Sequence, residues 1–529
     1  MEKIYPVDIF GVKNIGIEEW MNSYYAPVTW KEYQVIYKDV FSSYATALKK
    51  YDDEIIYWLA ISNIKLTLLV SRYIFDLLRL SRLEEAGYDH VVGWAGKNPI
   101  HASSNLTELT KYKLIDGSFV HSGRREKIKN ALRTVKYNLP LITNVNSIKN
   151  LSRPHFLVGS RSGKEVASYC NSNRISPIQI FPILFAQGGA RHSVSNQQGS
   201  ALQEFVHDFL SMVGEQYPVF RNSNYELLED DINECFKYSS MYFHNCADIL
   251  KKIRCKTLLI EGIGNSSHRL FSSAWRYSGG EVVGFVHGNA YCTSYNPGGV
   301  TDGYLSVLDQ YVTTSVGYEK ILNHALSDFP LGLAVSVKFT HTTKNNCKPL
   351  FETLKRSDPV RKIKKIMLIG FPMNDQIYPW LSGGFAFAYL HLELRLIKLL
   401  KTAGYYVIYK AHPDRINEVE GLIEGYADNI LKMERFENVY DKADCLLFTH
   451  PHTTTFGFAL LTQKPIVLIN TKGETWFPRA LELIKKRCSF VDAETDGSGR
   501  ILFEDQDVTN AVKASLNNIN YDILDEFAF

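Results

Sequence analysis

Apolar residues recur along this chain in two periods. Between residues 1 and about 130 they repeat at helical spacing, with Trp20, Trp30, Tyr33, Tyr37 and Phe41 as expected packing residues. From 140 to 340 short apolar runs alternate with polar, glycine-containing turns: Phe156–Gly159, Ile178–Phe185, Leu258–Ile260 and Val282–Val286. That alternation predicts a sheet wrapped by helices. The stretch Ile55–Leu80 is the most apolar, yet Lys65, Arg72, Asp76 and Arg79 interrupt it at helical intervals. Charges inside a bilayer are expensive, so it predicts a pair of helices with one buried face.

A polar and then charged segment, residues 341–362, predicts a domain boundary. Beyond it the pattern becomes β-α-β: Ile366–Pro372, a helix over Phe385–Thr402 with Leu390, Leu394, Ile397 and Leu400 in register, then Tyr406–Tyr409, Cys445–Phe448 and Ile466–Ile469. Right-handed crossovers make this a parallel doubly wound sheet with its ligand at the carboxyl ends of the strands. The division read from the pattern is an N-terminal domain over 1–345, a linker over 346–362, a Rossmann-like domain over 363–500 and a helical tail over 501–529.

Composition narrows the class. With 529 residues, 45% hydrophobic and 13% aromatic, the chain is globular and long enough for at least two cores. Lys and Arg number 59 against 56 Asp and Glu, so a net charge of +3 makes no electrostatic case for nucleic acid. Eight scattered cysteines form no C-x-x-C pair and no zinc spacing, and the first residues lack a basic-then-apolar leader. A reduced, cytoplasmic setting follows as the expectation.

Candidate chemistry sits where strands end. Lys410-Ala411-His412-Pro413 follows one strand, and Thr449-His450-Pro451-His452-Thr453-Thr454-Thr455 follows another, entering a short helix. A lysine, an imidazole and a cluster of hydroxyls all donate to anionic oxygen, so both loops read as half of a nucleotide site. Gly370 and Pro372, at the turn after Ile366–Ile369, belong to the same expected site. On the other side, Ile260-Glu261-Gly262 ends a strand in a carboxylate suited to take a proton from a hydroxyl. Phe285-Val286-His287-Gly288 repeats the pattern with histidine.

Each residue has a plainer reading. A His-Pro pair often only ends one element and caps the next, a reading nearly as good as function for His450-Pro451. Thr453–Thr455 would also serve as a helix N-cap, a role compatible with phosphate binding. Glu261 would equally cap a helix or pair with Arg254 or Arg269, and His287 would be structural or line an acceptor pocket. Asp302 and Asp309 are alternative bases. Gly159–Lys164 is one residue short of a phosphate-binding loop and continues with Glu165, so it is rejected as one.

Taken together, Ile260-Glu261-Gly262, Lys410-Ala411-His412-Pro413 and Thr453-Thr454-Thr455 resemble the acidic-glycine, His-Pro and paired Ser/Thr motifs of bacterial GT-B-fold sialyltransferases and polysialyltransferases. Kdo transferases are related, and the C-terminal half is similar to CDP-glycerol transferases. The resemblance covers about residues 255–470. Two departures stand out: Ile260 occupies the place of the family's first carboxylate, and His450-Pro451 adds a second His-Pro.

The resemblance implies an α/β, GT-B-like protein, two Rossmann-like domains facing each other across a cleft. It implies transfer of a CMP-activated ulosonic acid, sialic acid or Kdo, to a glycan or lipid-linked glycan in bacterial capsule or lipopolysaccharide synthesis. His412 would then touch the phosphate or cytidine, Thr453–Thr455 the phosphate, and Glu261 would be the base. No cofactor or metal is expected, and the inner face of the cell membrane is the expected peripheral partner. Inversion and retention both stay open, as do a CDP-glycerol or CDP-ribitol polyol-phosphate transferase and an inactive GT-B scaffold.

Overall fold

The computed structural model describes residues 4–6, 9–88, 90–95, 98–102, 155–159, 164–182, 196–223, 225–253, 257–264, 266–286, 305–327, 337–341, 347–356, 359–370, 383–413, 420–451, 453–472 and 476–529. Within these, the strands form three sheets. The smallest joins β1 (Ile4–Pro6), β2 (His90–Ala95) and β3 (Asn98–Ala102). The other two organise the molecule, and they give it the expected α/β class with two Rossmann-like parallel sheets.

The first large sheet contains β4 (His155–Val158), β5 (Ile178–Gln179), β6 (Thr257–Glu261), β7 (Glu281–Phe285), β8 (Gln310–Thr313) and β9 (Lys338–His341). Its order is β5-β4-β6-β7-β8-β9, parallel throughout. The strand order reverses between β4 and β6.

The second contains β10 (Lys365–Ile369), β11 (Tyr406–Lys410), β12 (Asn429–Leu431), β13 (Cys445–Phe448), β14 (Ile466–Thr471), β15 (Ser489–Thr495) and β16 (Ile501–Leu502). Its order is β12-β11-β10-β13-β14-β15-β16, parallel except at the β16 edge. Here the reversal falls between β10 and β13, where doubly wound sheets open a crevice for ligands.

Unbroken apolar runs become central strands because both faces of the second sheet are covered. Successive side chains alternate between faces. Ile366, Leu368, Val407, Tyr409, Cys445 and Leu447 join one core with Leu390, Leu394, Ile397 and Leu400 of the helix Gly383–Thr402. Met367, Ile408, Leu446 and Phe448 join the opposite core with Phe456, Leu460 and Ile484. Each fully buried aliphatic or aromatic side chain of this kind contributes roughly 1.5–3 kcal/mol.

The apolar stretch near residue 55 forms two helices, Glu54–Ser62 and Leu66–Glu85, bent by 55° at their junction. Asp53 caps the first by accepting from the amides of Ile55 and Ile56. Both pack into the core shared with the first large sheet. No single helix among the described residues is long and apolar enough to cross a membrane. Trp30, expected to pack, is 40% exposed and lies against Tyr33 at the start of its helix.

Two segments cross between the halves. Val12, Trp20, Tyr24 and Ala26 belong to a core of the second sheet, although the pattern groups residues 1–345 together. The Ala26 amide donates to Ser498 O at 2.7 Å. Tyr24 packs on His391 with ring centroids 4.6 Å apart and the planes tilted by 32°. In the other direction, the tail helix Asp522–Phe527 packs against the helix Val316–Ser327, and Ser315 Oγ donates to Phe527 O.

Candidate functional site

Parallel register brings three strand ends to one edge. Ile369 pairs with Lys410 on one side and with Phe448 on the other, so the loops beginning at Gly370, Ala411 and Thr449 leave the sheet side by side. A cavity of about 540 Å³ opens there. Gly370, Lys410, His412, Pro413, Thr453, Thr454 and Thr455 all line it. Residues read separately from the sequence thus converge on one space, at the reversal of strand order.

Lys410 is the last residue of β11 and is only 4% exposed. Its Nζ donates to Ala411 O at 2.6 Å. Burial pushes the ammonium below the ordinary lysine range, and the carboxylates of Glu434 and Glu437 oppose that shift. His412 is half-buried and Pro413 exposed.

Thr453 is the N-cap of the helix Thr454–Leu460, and its Oγ1 accepts from the Phe456 amide at 3.1 Å. The hydroxyl keeps its proton for a ligand, so capping and binding do not compete. With seven residues this helix has little dipole to offer, which leaves the side chains as the donors. Its far end is anchored by Arg487, which is fully buried and donates to the carbonyls of Ala459, Leu460, Thr462 and Lys464.

Sequence reasoning missed one wall. Glu434, Arg435, Phe436, Glu437 and Asn438, from the segment after β12, also line the cavity. Phe436 is buried against Phe458 and anchors the turn, leaving its polar neighbours exposed. The only local signal is a pair of glutamates three apart following a strand, which by itself reads as a solvated turn.

His450 is 2% exposed and packs edge-on against Tyr389, and it does not line the cavity. Pro372, His287 and Asp302 lie outside the described residues. Asp309 is engaged structurally, accepting from the Val282 amide at 2.8 Å and pairing with Arg276 at 2.9 Å.

Glu261 ends β6 half-buried, next to β4 at the reversal point of the first large sheet. The turn around it is tightly built. Gly159, at φ 129°, approaches so closely that an added Cβ would stand 2.8 Å from Glu261 Cβ, and only glycine fits. Gln179 Nε2 holds Gly159 O at 2.6 Å. Glu261 does not line the cavity of the second sheet.

No protein-family model matches the chain, and no curated protein matches it. Among solved structures it is similar to UDP-N-acetylglucosamine 2-epimerase from Rickettsia bellii, at 14% identity over 55% of this chain and 74% of that one, with a TM-score of 0.33. It is also similar to the Methanocaldococcus jannaschii UDP-GlcNAc 2-epimerase, at 9% identity over 53% and 75%, with a TM-score of 0.30. A third likeness is to the glycosyltransferase SnogD from Streptomyces nogalater, at 12% identity over 74% and 90%, with a TM-score of 0.29.

Proposed function

We propose that the protein is a GT-B-type glycosyltransferase that moves an ulosonic acid of the sialic acid or Kdo kind from a CMP donor to a glycan acceptor. The observation that carries the reading is the convergence of Lys410, His412 and Thr453–Thr455 on one cavity at the strand-order reversal of a Rossmann-like sheet. A volume of about 540 Å³ accommodates a nucleotide.

In the transfer, the bond from the anomeric carbon to the phosphate oxygen breaks and its electrons leave with CMP. Negative charge grows on the phosphate as the sugar becomes cationic. Donors already fixed by the fold stabilise that charge without reorganisation, commonly the greatest single contribution to such catalysis. His412 and the threonine hydroxyls supply them, with the Lys410 charge behind. Glu261 takes the proton of the attacking hydroxyl, from the switch point of the other sheet. The reading makes the first large sheet the acceptor side and the second the donor side, at the inner face of the cell membrane where lipid-linked glycans are assembled.

Titration calorimetry with CMP, CDP, UDP and GDP, together with CMP release from CMP-sialic acid and CMP-Kdo, tests this. Preferential CMP binding with release from one donor is the expected result. Preference for CDP without release from either donor would favour the polyol-phosphate transferase. Binding of none of the four nucleotides would overturn the site.

A further inference from the structure

The turn that carries Glu261 also carries an imidazole whose proton is pinned. His268, in the first turn of the helix Ser266–Tyr277, directs Nδ1 to Gly262 O at 3.1 Å. A carbonyl oxygen can only accept, so Nδ1 holds the hydrogen. In the neutral ring Nε2 is then a bare lone pair. His268 is half-buried, and burial lowers its pKa from the ordinary histidine value, with the Gly262 bond opposing.

The turn is held from a second side. Lys65, between the two helices bent near residue 63, donates Nζ to Gly264 O at 2.6 Å. Gly262 itself takes φ 70°, so the chain reverses sharply between the carboxylate and the imidazole. Of the charged groups at this turn, Glu261 ends the strand and Lys65 is on Gly264 O. Arg269, the next residue of the helix, directs Nε and Nη2 inward to Ser62 O, Ile61 O and Ser306 Oγ. From the packed strand side, Asp309 is held by Arg276.

We infer that His268 is a positioning residue for the nucleophile: its Nε2 accepts a hydrogen bond from the attacking hydroxyl, or from water in donor hydrolysis, and aims the oxygen at the sugar while Glu261 takes the proton. The inference rests on the transferase reading. A fixed lone pair on the turn that a carboxylate opens suits an O–H group, because the hydroxyl needs an acceptor for orientation and a base for its proton. Protonation of the ring replaces the lone pair with a second N–H and removes the contact.

The test follows CMP release from CMP-sialic acid and CMP-Kdo across pH 4.5–8 for the wild type, His268→Ala and His268→Gln, with CMP affinity measured by calorimetry in each. His268→Ala should lose on the order of tenfold or more in rate with CMP affinity unchanged. His268→Gln, whose amide oxygen can accept, should recover most of that rate while lacking the acidic limb that the wild type owes to the imidazole. Release by His268→Ala at the wild-type rate with an unchanged pH profile overturns the inference and leaves the transferase reading standing. A wild type that neither binds CMP nor releases it from either donor overturns the reading, and the inference with it.

Discussion

Lys410 turns its ammonium back onto the carbonyl oxygen of Ala411, 2.6 Å away, at the mouth of β11. The lysine therefore contributes twice to the cavity, as a charge and as the clasp that fixes the peptide before His412. A bare charge could be replaced by any cation, whereas a clasp depends on the length and shape of the side chain. We predict that Lys410→Met weakens CMP binding by roughly 1.5–3 kcal/mol, and that Lys410→Arg, too large for the clasp in a buried site, restores little of it. Calorimetry on the two variants decides. Full recovery by arginine would reduce the lysine to a charge alone.

His412 stands at the surface of the same loop, half-buried, so its removal should leave the core intact. His412→Ala is expected to cost about 1.5–3 kcal/mol in CMP affinity while the melting temperature barely moves. An unchanged affinity would remove His412 from the donor site.

Arg487 does not line the cavity, yet it holds the helix that presents Thr453–Thr455. Replacing it with methionine leaves up to four buried carbonyls without their donor. The expected loss is about 3 kcal/mol of stability or more, since each buried unsatisfied group costs about 1–3 kcal/mol. Denaturant unfolding measures it, and nucleotide affinity should fall in parallel as the threonine loop loosens. A stable variant with wild-type affinity would show that the short helix holds its place by packing alone.

His391 gives the fold a pH dependence of defined sign. Its Nε2 donates to Met21 O at 3.3 Å under the Tyr24 ring, and burial lowers its pKa from 6.5 to about 4, against the Met21 bond. The unfolded chain takes up a proton near pH 6.5 that the folded chain refuses until about pH 4. This contribution is thus complete above about pH 6.5 and is lost as pH falls toward 4, by roughly 3 kcal/mol in all. Unfolding measured at several pH values should show that slope in the wild type. The slope should flatten in His391→Phe, and an equal slope in both would assign it to other groups.

The strands and the convergence of the loops were legible because apolar runs in a covered parallel sheet carry a strong signal and fix which ends meet. Lys410, His412 and Thr453–Thr455 follow from that rule once the strands are parallel. Glu434–Asn438 was not legible, because it reaches the cavity through irregular turns after a three-residue strand, and what sets its place is the burial of Phe436. Nor was the packing of Trp20 and Tyr24 on the second sheet. Periodicity reveals that a helix has a buried face, whereas the partner of that face, here Phe387 and His391, is chosen by tertiary fit. His450 reads as a ligand in sequence and lies in the interior, since a strand end can turn its side chain either way.

Glu261 is the test of the chemistry. Its carboxylate sits where β4 and β6 part, and Gly159 leaves it room that no side chain would. A general base acts only in the transition state, so its loss should appear in turnover and not in donor affinity. We predict that Glu261→Gln lowers kcat by roughly two to four orders of magnitude while CMP binds as before. Trapping with a fluorinated CMP-sugar separates the two stereochemical courses. An adduct on Glu261 would make it the nucleophile of a retaining enzyme, and a wild-type rate in Glu261→Gln would confine the residue to holding the turn at Gly159.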